Sequence, residues 1–254
     1  MLENLDFYYN DISSQSMGLV NVRIEAGLFE ESFLPSRNIE EVSIRGNDKP
    51  YFQSVKLSPL EFDLTFAFVD DYTDDKLREV ARWLNQGYYK PFYFAERPDR
   101  IFYCMPNGDS KISHNGNGQG YITLKMKCDS PFGYTPQFTT ATYTSTSTTN
   151  WTTFTFNNIG DVECYPEIYI TKKGTGDVEV LNETTNTDFL LTSLADKENI
   201  YVDCNREIIK TDIPLTYRYD KFNDNYLFFN VGTNSIKLKG TFDIYFVYYF
   251  KTLV

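Results

Sequence analysis

The sequence predicts a mainly β protein of two domains, and three observations support this. The chain has 254 residues, which suits two domains of ordinary size better than one core. Aromatic residues make up 17% of it, with 20 Tyr and 21 Phe, and such side chains favour half-buried pleated sheets. One segment has a clear helical pattern, whereas short apolar runs between turn residues recur along the whole chain.

The first domain is predicted to consist of strands around one helix. Residues 19–26 alternate apolar and polar side chains, which is typical of a half-buried strand. Residues 29–53 lack this alternation, and their proline, charges and Gly-Asn-Asp turn favour an extended ribbon. Such a ribbon is either a subunit contact or a solvated charged hairpin. Further strands are expected at residues 62–68, 92–94, 101–104 and 121–128.

The helix is expected over residues 74–86. Thr73 suits the N-cap, and acidic residues follow in the first turn, where they complement the helix dipole. Gly87 stands where a C-terminal glycine is common. One apolar stripe can pack on a sheet; it consists of Leu77, Val80, Ala81 and Leu84. The four aspartates around residues 70–75 lack the spacing of a calcium loop, so helix capping explains them better.

A glycine-rich segment at residues 115–120 superficially resembles a phosphate-binding loop. Such a loop has to lead into a helix, and here a strand follows, so a hairpin turn is predicted. His114 beside it has no catalytic partner nearby in the sequence and is interpreted as a surface residue.

The second domain is predicted to be an all-β sandwich. Ten of the fifteen residues from Thr135 to Thr149 are Ser or Thr without apolar periodicity, which favours a linker. The predicted division is a domain at 1–135, a linker at 136–150 and a domain at 151–254. No helix is expected in the last of these, where short strands alternate with turns. The strands are expected at 151–156, 165–170, 178–181, 200–204, 215–219, 226–231, 235–238 and 242–250.

Composition excludes several classes of function. The formal net charge of −11 argues against a nucleic-acid-binding protein, and no apolar run is long enough for a membrane helix. Four cysteines without C-x-x-C spacing and a single histidine argue against zinc, and we expect no cofactor or metal. Cys104 and Cys128 can face each other across a hairpin, but buried free thiols of a reducing compartment are preferred. The first residues have no signal-peptide pattern.

Several segments, taken in order, resemble the distal tail proteins of long, non-contractile-tailed bacteriophages (siphophages). Leu34–Gly46 is similar to that family's Pro-Pro-Arg-x-Ile … Gly-Arg segment, although Leu34 replaces the first proline and Arg45-Gly46 has the reverse order. Arg82–Leu84, Pro91–Phe94 and Arg97–Tyr103 resemble its Trp-Leu … Leu-x-Phe … Pro-Asp-x-x-Tyr core. Gly120–Tyr134 resembles the Cys-x-x-Pro-Tyr-x-Tyr ending of the same domain. Shorter similarities follow at residues 158–168, 202–204 and 231–236.

This resemblance implies a structural virion protein without enzymatic activity, located at the phage tail tip and assembled in the host cytoplasm. The N-terminal domain, a β-sandwich with a flanking helix and a hairpin arm, would build a hexameric ring around a channel for DNA. The C-terminal domain would be a galectin-like sandwich. Expected partners are further copies of the chain, the tail tube protein and the baseplate or fibre hub. Ring assembly places four charged residues at or near subunit contacts, namely Arg37, Glu40, Glu41 and Arg45.

Two other functions remain open on the sequence. A carbohydrate- or receptor-binding module would use exposed aromatic side chains that stack on sugar rings, with Tyr217, Tyr219, Phe222 and Trp151 as candidates. Core packing is the simpler interpretation of these aromatics. A hydrolase with Asp220 and Asp224 as paired carboxylates has little support, because both lie in a turn-rich segment.

Overall fold

The computed structural model describes residues 6–21, 34–115 and 119–253. The chain divides into two compact units, Met1–Tyr134 with Leu253–Val254, and Thr135–Thr252. Strands dominate both units, and the described residues contain one α-helix, so the predicted mainly β class is confirmed. The parts of three predicted elements that fall on residues 22–26, 29–33 and 116–118 lie outside the described residues.

The first unit is built from short antiparallel strands and the helix α1 (Asp74–Leu84). The strands are β1 (Phe7–Tyr9), β2 (Ile12–Ser13), β3 (Leu19–Asn21), β4 (Arg37–Val42), β5 (Tyr51–Leu57), β6 (Glu61–Phe68), β7 (Lys90–Phe94), β8 (Phe102–Pro106), β9 (Lys111–His114), β10 (Gly120–Cys128) and β11 (Gly133–Tyr134). One sheet has the order β2-β1-β7-β8-β10-β6-β3, with β9 also paired to β10. Among the described strands, β4 and β5 pair only with each other.

Helix α1 packs on the apolar side of this sheet, although Ala81 of the predicted stripe is exposed and Trp83, outside that stripe, is buried. The Thr73 side chain caps it by accepting a hydrogen bond from the Lys76 N–H, and its inner face buries Val80, Trp83 and Leu84. The indole Nε1 of Trp83 donates to the carbonyl oxygen of Tyr9 at 2.9 Å, which ties the helix to β1.

The predicted end of the helix was wrong. The helix ends at Leu84 with Asn85 as its C-cap, and Gly87 does not adopt a left-handed conformation. The carbonyl oxygens at the end of the helix need hydrogen-bond donors, and Gln86 provides one instead of the glycine. Its side-chain Nε2 donates to the carbonyl oxygen of Trp83 at 2.7 Å.

The second unit is one sheet folded on itself. Its strands are β12 (Phe138–Thr139), β13 (Tyr143–Asn158), β14 (Glu167–Lys172), β15 (Gly176–Asn182), β16 (Thr187–Leu194), β17 (Asn199–Asp203), β18 (Ile208–Thr211) and β19 (Gly232–Tyr248), and the short strand β20 (Lys251–Thr252) follows outside this sheet. The main path runs β16-β15-β19-β14-β17-β18, and β12 and β13 also pair with β19.

Strand β19 holds this unit together because it takes part in both halves of the sheet. Before Gly240 it pairs with β15, and after Gly240 it pairs with β14, while β13 follows it along both parts. Gly240 has a φ of 124°, and a Cβ there would lie 2.5 Å from the carbonyl oxygen of Asp177. Only glycine fits this bend. The two halves enclose one core that includes Val178, Leu238 and Ile244.

The expected linker at 136–150 is instead part of the second sheet, through β12 and the first half of β13. Its hydroxyl groups bond within the sheet: Ser145 Oγ donates to the Gly240 carbonyl oxygen at 2.8 Å, and Thr144 Oγ1 donates to Asp243 Oδ1 at 2.6 Å. A strand held by such bonds needs little apolar periodicity, which is why composition misled the prediction.

Two further strand predictions in this unit were wrong. Residues 215–219 form a loop, in which Leu215 has a φ of 57°. Residues 226–231 form an irregular segment held by amide side chains, since Asn158 Nδ2 donates to the Phe229 carbonyl oxygen and Asn182 Nδ2 to that of Phe228. Strands β16 and β18 were not predicted.

Candidate functional site

The ribbon of β4 and β5 is the clearest candidate for a functional surface. Cross-strand pairs run from Arg37 with Leu57 to Val42 with Tyr51, and a bulge lies between Glu40 and Glu41. Nearly every residue of both strands is exposed. An isolated two-stranded hairpin is marginally stable in water, so a ribbon of this kind gains stability when another surface covers it.

One face of the ribbon satisfies its own polar groups. The Glu40 carboxylate pairs with Lys56 Nζ at 2.5 Å and accepts a hydrogen bond from Ser54 Oγ at 3.0 Å. These hydrogen bonds, from Lys56 first and then Ser54, lower the pKa of Glu40. This polar face suits contact with water.

The opposite face is apolar and uncovered. Ile39 and Val55 are directly paired across the strands, and Leu57 lies two residues further along on the same side. They are 53%, 42% and 39% exposed, respectively. Towards the turn the ribbon also exposes Phe52, at 65%. Uncovered apolar groups so close together are typical of an interaction site.

The four predicted contact residues differ in their surroundings. Arg37, Glu41 and Arg45 are exposed, whereas Glu40 is engaged within the ribbon by Lys56 and Ser54. The prediction concentrated on charges and missed the apolar positions. A signal was present in β5, where Val55 and Leu57 flank Lys56 in an alternating pattern.

The predicted sugar-stacking aromatics differ in how far they are exposed. Tyr217 is 80% exposed, and Tyr219 is 43% exposed with its hydroxyl oxygen accepting a hydrogen bond from the Ile209 N–H. Phe222 was wrongly included, because it is 8% exposed and packs on Phe189 and Tyr226 in the core. Trp151 is 36% exposed, and Lys239 Nζ lies over its ring at 4.5 Å.

A groove on the outer face of the second sheet offers another aromatic surface. Tyr201, Tyr169 and Tyr245 lie side by side on β17, β14 and β19, and the last two rings stack with centroids 4.8 Å apart. The open groove beside them has a volume of about 560 Å³. Its walls combine rings with hydroxyl and amide groups, namely Tyr169, Tyr245, Val247, Gln137, Thr139, Thr140 and Thr142.

The carboxylate of Glu167 borders the same tyrosine row. Tyr169 donates its hydroxyl proton to Glu167 Oε2 at 3.1 Å. Partial burial, and then Glu167, raise the pKa of Tyr169; the same two causes raise that of Tyr201 to about 12. Both phenols therefore remain protonated hydrogen-bond donors at neutral pH.

The remaining candidates do not assemble into a reactive site. Asp220 lies 3.7 Å from Lys221 in an ion pair, and Asp224 has a φ of 59° in a turn. His114 is exposed and contacts the neighbouring Asn115 carbonyl oxygen through Nδ1. Across residues 6–21, 34–115 and 119–253 no three His, Cys, Asp or Glu side chains cluster as metal ligands. No helix in this described portion has the length and apolarity to span a membrane.

Comparisons with known proteins give a consistent result. Residues 2–130 match a family described as phage tail protein N-terminal domain, and residues 132–248 match one described as phage tail C-terminal domain. The SPbeta prophage-derived protein YomH of Bacillus subtilis (strain 168) is 36% identical over 253 residues, 99% of each chain.

Solved structures share the fold across almost the whole chain. The SPP1 Dit protein, described as belonging to a hub adsorption apparatus of phages that infect Gram-positive bacteria, matches with a TM-score of 0.71 and 17% identity. That match covers 98% of this chain and 100% of the SPP1 protein. A chain of the phage P2 baseplate in its activated conformation matches with a TM-score of 0.54, 6% identity and 99% coverage of both chains. The predicted resemblance to distal tail proteins is therefore confirmed.

Proposed function

The chain belongs to the family of phage tail proteins, and on that premise we propose that it is a structural protein of the tail tip that forms a ring with further copies of itself. The ring is hexameric and surrounds a channel for DNA. It connects the tail tube protein to the baseplate or fibre hub, in a virion assembled in the host cytoplasm. The fold shared with the SPP1 Dit protein and with a phage P2 baseplate chain supports this position in the tail.

The uncovered apolar face of the β4–β5 ribbon carries the proposal. A second copy of the chain is its occupant, because a head-to-tail contact between identical subunits closes into a ring when the rotation allows. Ile39, Val55 and Leu57 form the centre of this contact. Arg37, Glu41 and Arg45 lie at its rim, where charge sets register and specificity more than affinity.

The mass of the assembly tests the proposal. Wild-type protein is expected to form closed rings, seen by light scattering and negative-stain imaging, alone or with the tail tube protein. The double variant Ile39→Asp/Val55→Asp places two charges on the apolar face and is expected to remain monomeric. The variant Asn38→Asp/Lys56→Gln changes the net charge equally on the polar face and is expected to retain assembly.

Rim residues give a graded version of the same experiment. Arg45→Glu is expected to weaken ring formation, whereas Glu40→Gln is expected to leave it nearly unchanged because Glu40 bonds within its own ribbon. A wild-type protein that stays monomeric at every concentration, also with the tail tube protein present, contradicts the ring. Equal assembly of both double variants contradicts the ribbon as its contact.

The tyrosine groove favours a second candidate function, glycan binding by a galectin-like second unit. Aromatic rings beside hydroxyl and amide groups suit a sugar, which presents C–H and O–H groups together. Binding on a glycan array that is lost in Tyr245→Ala, with the fold intact, supports the groove. Loss in Tyr217→Ala instead assigns binding to the loop at residues 215–219. If the wild-type protein binds no glycan on the array, this function is contradicted.

A further inference from the structure

Cys104 and Cys128 stand directly opposite each other on neighbouring strands of the first unit. Strands β8 and β10 are antiparallel, and their register pairs these two cysteines. The flanking backbone bonds run from the Asp129 N–H to the Tyr103 carbonyl oxygen at 2.9 Å and from the Asn107 N–H to that of Lys125 at 2.8 Å. Hydrogen-bonded and non-hydrogen-bonded pairs alternate along such a ladder, so the cysteine pair occupies a non-hydrogen-bonded position.

That position brings the two thiols together. At non-hydrogen-bonded pairs the Cα atoms are about 4.5 Å apart and the side chains leave the sheet on one face, close to each other. Disulfides span Cα separations of about 4.4–6.8 Å. Both side chains lie in the core of the first unit, with 0% and 1% exposure. Bridging them requires a rotation of side chains and no large movement of backbone.

We propose that Cys104 and Cys128 are a modification site, a cross-strand dithiol that closes to an intrachain disulfide by exchange with a small-molecule disulfide such as oxidised glutathione. One thiolate attacks the reagent and forms a mixed disulfide, with release of one glutathione thiolate. The second cysteine thiolate then displaces the other glutathione. The chain gives up two protons and two electrons, and one oxidised glutathione becomes two reduced glutathiones.

The crosslink would tie β8 to β10 in the middle of the first unit's sheet. Its formation is slow while the sheet is closed, because the reagent has to reach buried sulfur. Interaction with the Cys128 thiol, and then burial, also raise the pKa of Cys104 well above its usual range, so little thiolate is present at neutral pH. Local opening of the sheet is therefore the step that limits the rate.

The other two cysteines provide an internal comparison. Cys164 and Cys204 are equally buried, with 2% exposure each. They do not face each other in a ladder, since Cys164 bridges to Phe229 and the Cys204 N–H bonds the Pro166 carbonyl oxygen. The thiol of Cys164 points to the Tyr249 carbonyl oxygen at 3.7 Å. Burial, with smaller contributions that include Cys164, raises the pKa of Cys204, so these two cysteines are also near each other. What distinguishes Cys104 and Cys128 is their direct cross-strand register.

Two double variants test the proposal. Cys164→Ala/Cys204→Ala leaves Cys104 and Cys128 as the only thiols, and Cys104→Ala/Cys128→Ala leaves the other pair. Each is oxidised with glutathione disulfide, both as native protein over days and during refolding from denaturant, where access is not limiting. Intact mass, thiol titration and melting temperature before and after dithiothreitol are measured.

The first variant is expected to lose two thiols and about 2 Da without glutathione adducts, and its Tm is expected to rise by several degrees on crosslinking. The second is expected to keep its thiols in the folded protein or to carry glutathione as mixed disulfides. The proposal is overturned if the first variant refolds without a crosslink, or if crosslinking lowers its Tm. A crosslink of equal yield in the second variant also overturns it, because register would then not decide the reaction.

Discussion

The ribbon β4–β5 and the strand β19 bear apolar residues in a similar alternating pattern, but only one of them buries these residues within the chain. In β19, Ile244 is fully buried between the two halves of a folded sheet, whereas Ile39 of the ribbon is 53% exposed. Apolar alternation therefore predicts burial without saying which surface provides it. In the second unit the surface is the chain itself, and for the ribbon we propose a second copy.

The largest effect is expected at the bend that lets β19 bury both of its halves. Gly240→Ala should lower the free energy of unfolding by about 4 kcal/mol, because the added Cβ meets the Asp177 carbonyl oxygen at a backbone conformation reserved for glycine. Chemical denaturation measures this. Gly174→Ala is the matched control, since Gly174 also has a positive φ but no atom within 4 Å of a Cβ, and about 1 kcal/mol is expected. Equal losses would mean that the bend is not closely packed.

The next effect concerns a buried ion pair of the second unit. The Glu198 carboxylate is fully buried and accepts two hydrogen bonds of 2.7 Å from the Arg218 guanidinium. Arg218→Ala should destabilise the protein by about 3 kcal/mol, because it leaves a buried charge without its partner. The exposed ion pair of Lys221 is the control, and Lys221→Ala should cost less than about 1 kcal/mol.

This pair also makes stability depend on pH. Burial alone would raise the pKa of Glu198, but Arg218, the Thr211 hydroxyl and the Ala195 N–H together hold it below its usual value. The folded-state pKa thus lies below the unfolded one, so the stabilisation is present above the unfolded pKa and is lost as the pH falls through the folded value. The difference between wild type and Arg218→Ala should be complete at pH 7 and should shrink below a pH of about 4. A constant difference would contradict the assignment.

The smallest loss of stability is expected from a direct comparison of β19 with the ribbon. Ile244→Val should lower the free energy of unfolding by about 1 kcal/mol, because it leaves space in a packed core. Ile39→Val in the monomer should change it by less than about 0.5 kcal/mol. Thermal melts of both variants at low protein concentration make the comparison. A similar loss for Ile39→Val would show that the chain itself covers the ribbon.

Sequence reasoning succeeded where local chemistry decides the structure. Thr73, the aspartates after it and the stripe ending at Leu84 define α1 without reference to the rest of the chain. The strands at 62–68 and 121–128 followed from alternation and are paired as β6 and β10. The same local signals supported the resemblance to distal tail proteins, which the family matches bear out.

The predictions failed where residues distant in the sequence determine the local structure. The Ser145 hydroxyl can be buried because the carbonyl oxygen of Gly240, far away in sequence, accepts its hydrogen bond. The sequence around Ser145 does not show this partner, so a Ser/Thr-rich strand was taken for a linker. The loop around Leu215 has strand-like composition, but the buried contact of Arg218 with Glu198 holds its end in place. The candidate site was predicted through its charges, because no sequence pattern distinguishes an apolar face covered by the chain from one left open.

From the position of β19 we also expect a particular order of events during folding. It pairs with four earlier strands, and its partners are distant: Asn182 pairs with Ile236, and Phe138 with Tyr248. Until β19 arrives, β13, β14 and β15 lack a shared neighbour and present open edges, so the second unit is expected to fold late and slowly. In that interval the open strand edges make the unit most prone to aggregation, so the rate at which β19 pairs limits how much of the chain reaches the folded state.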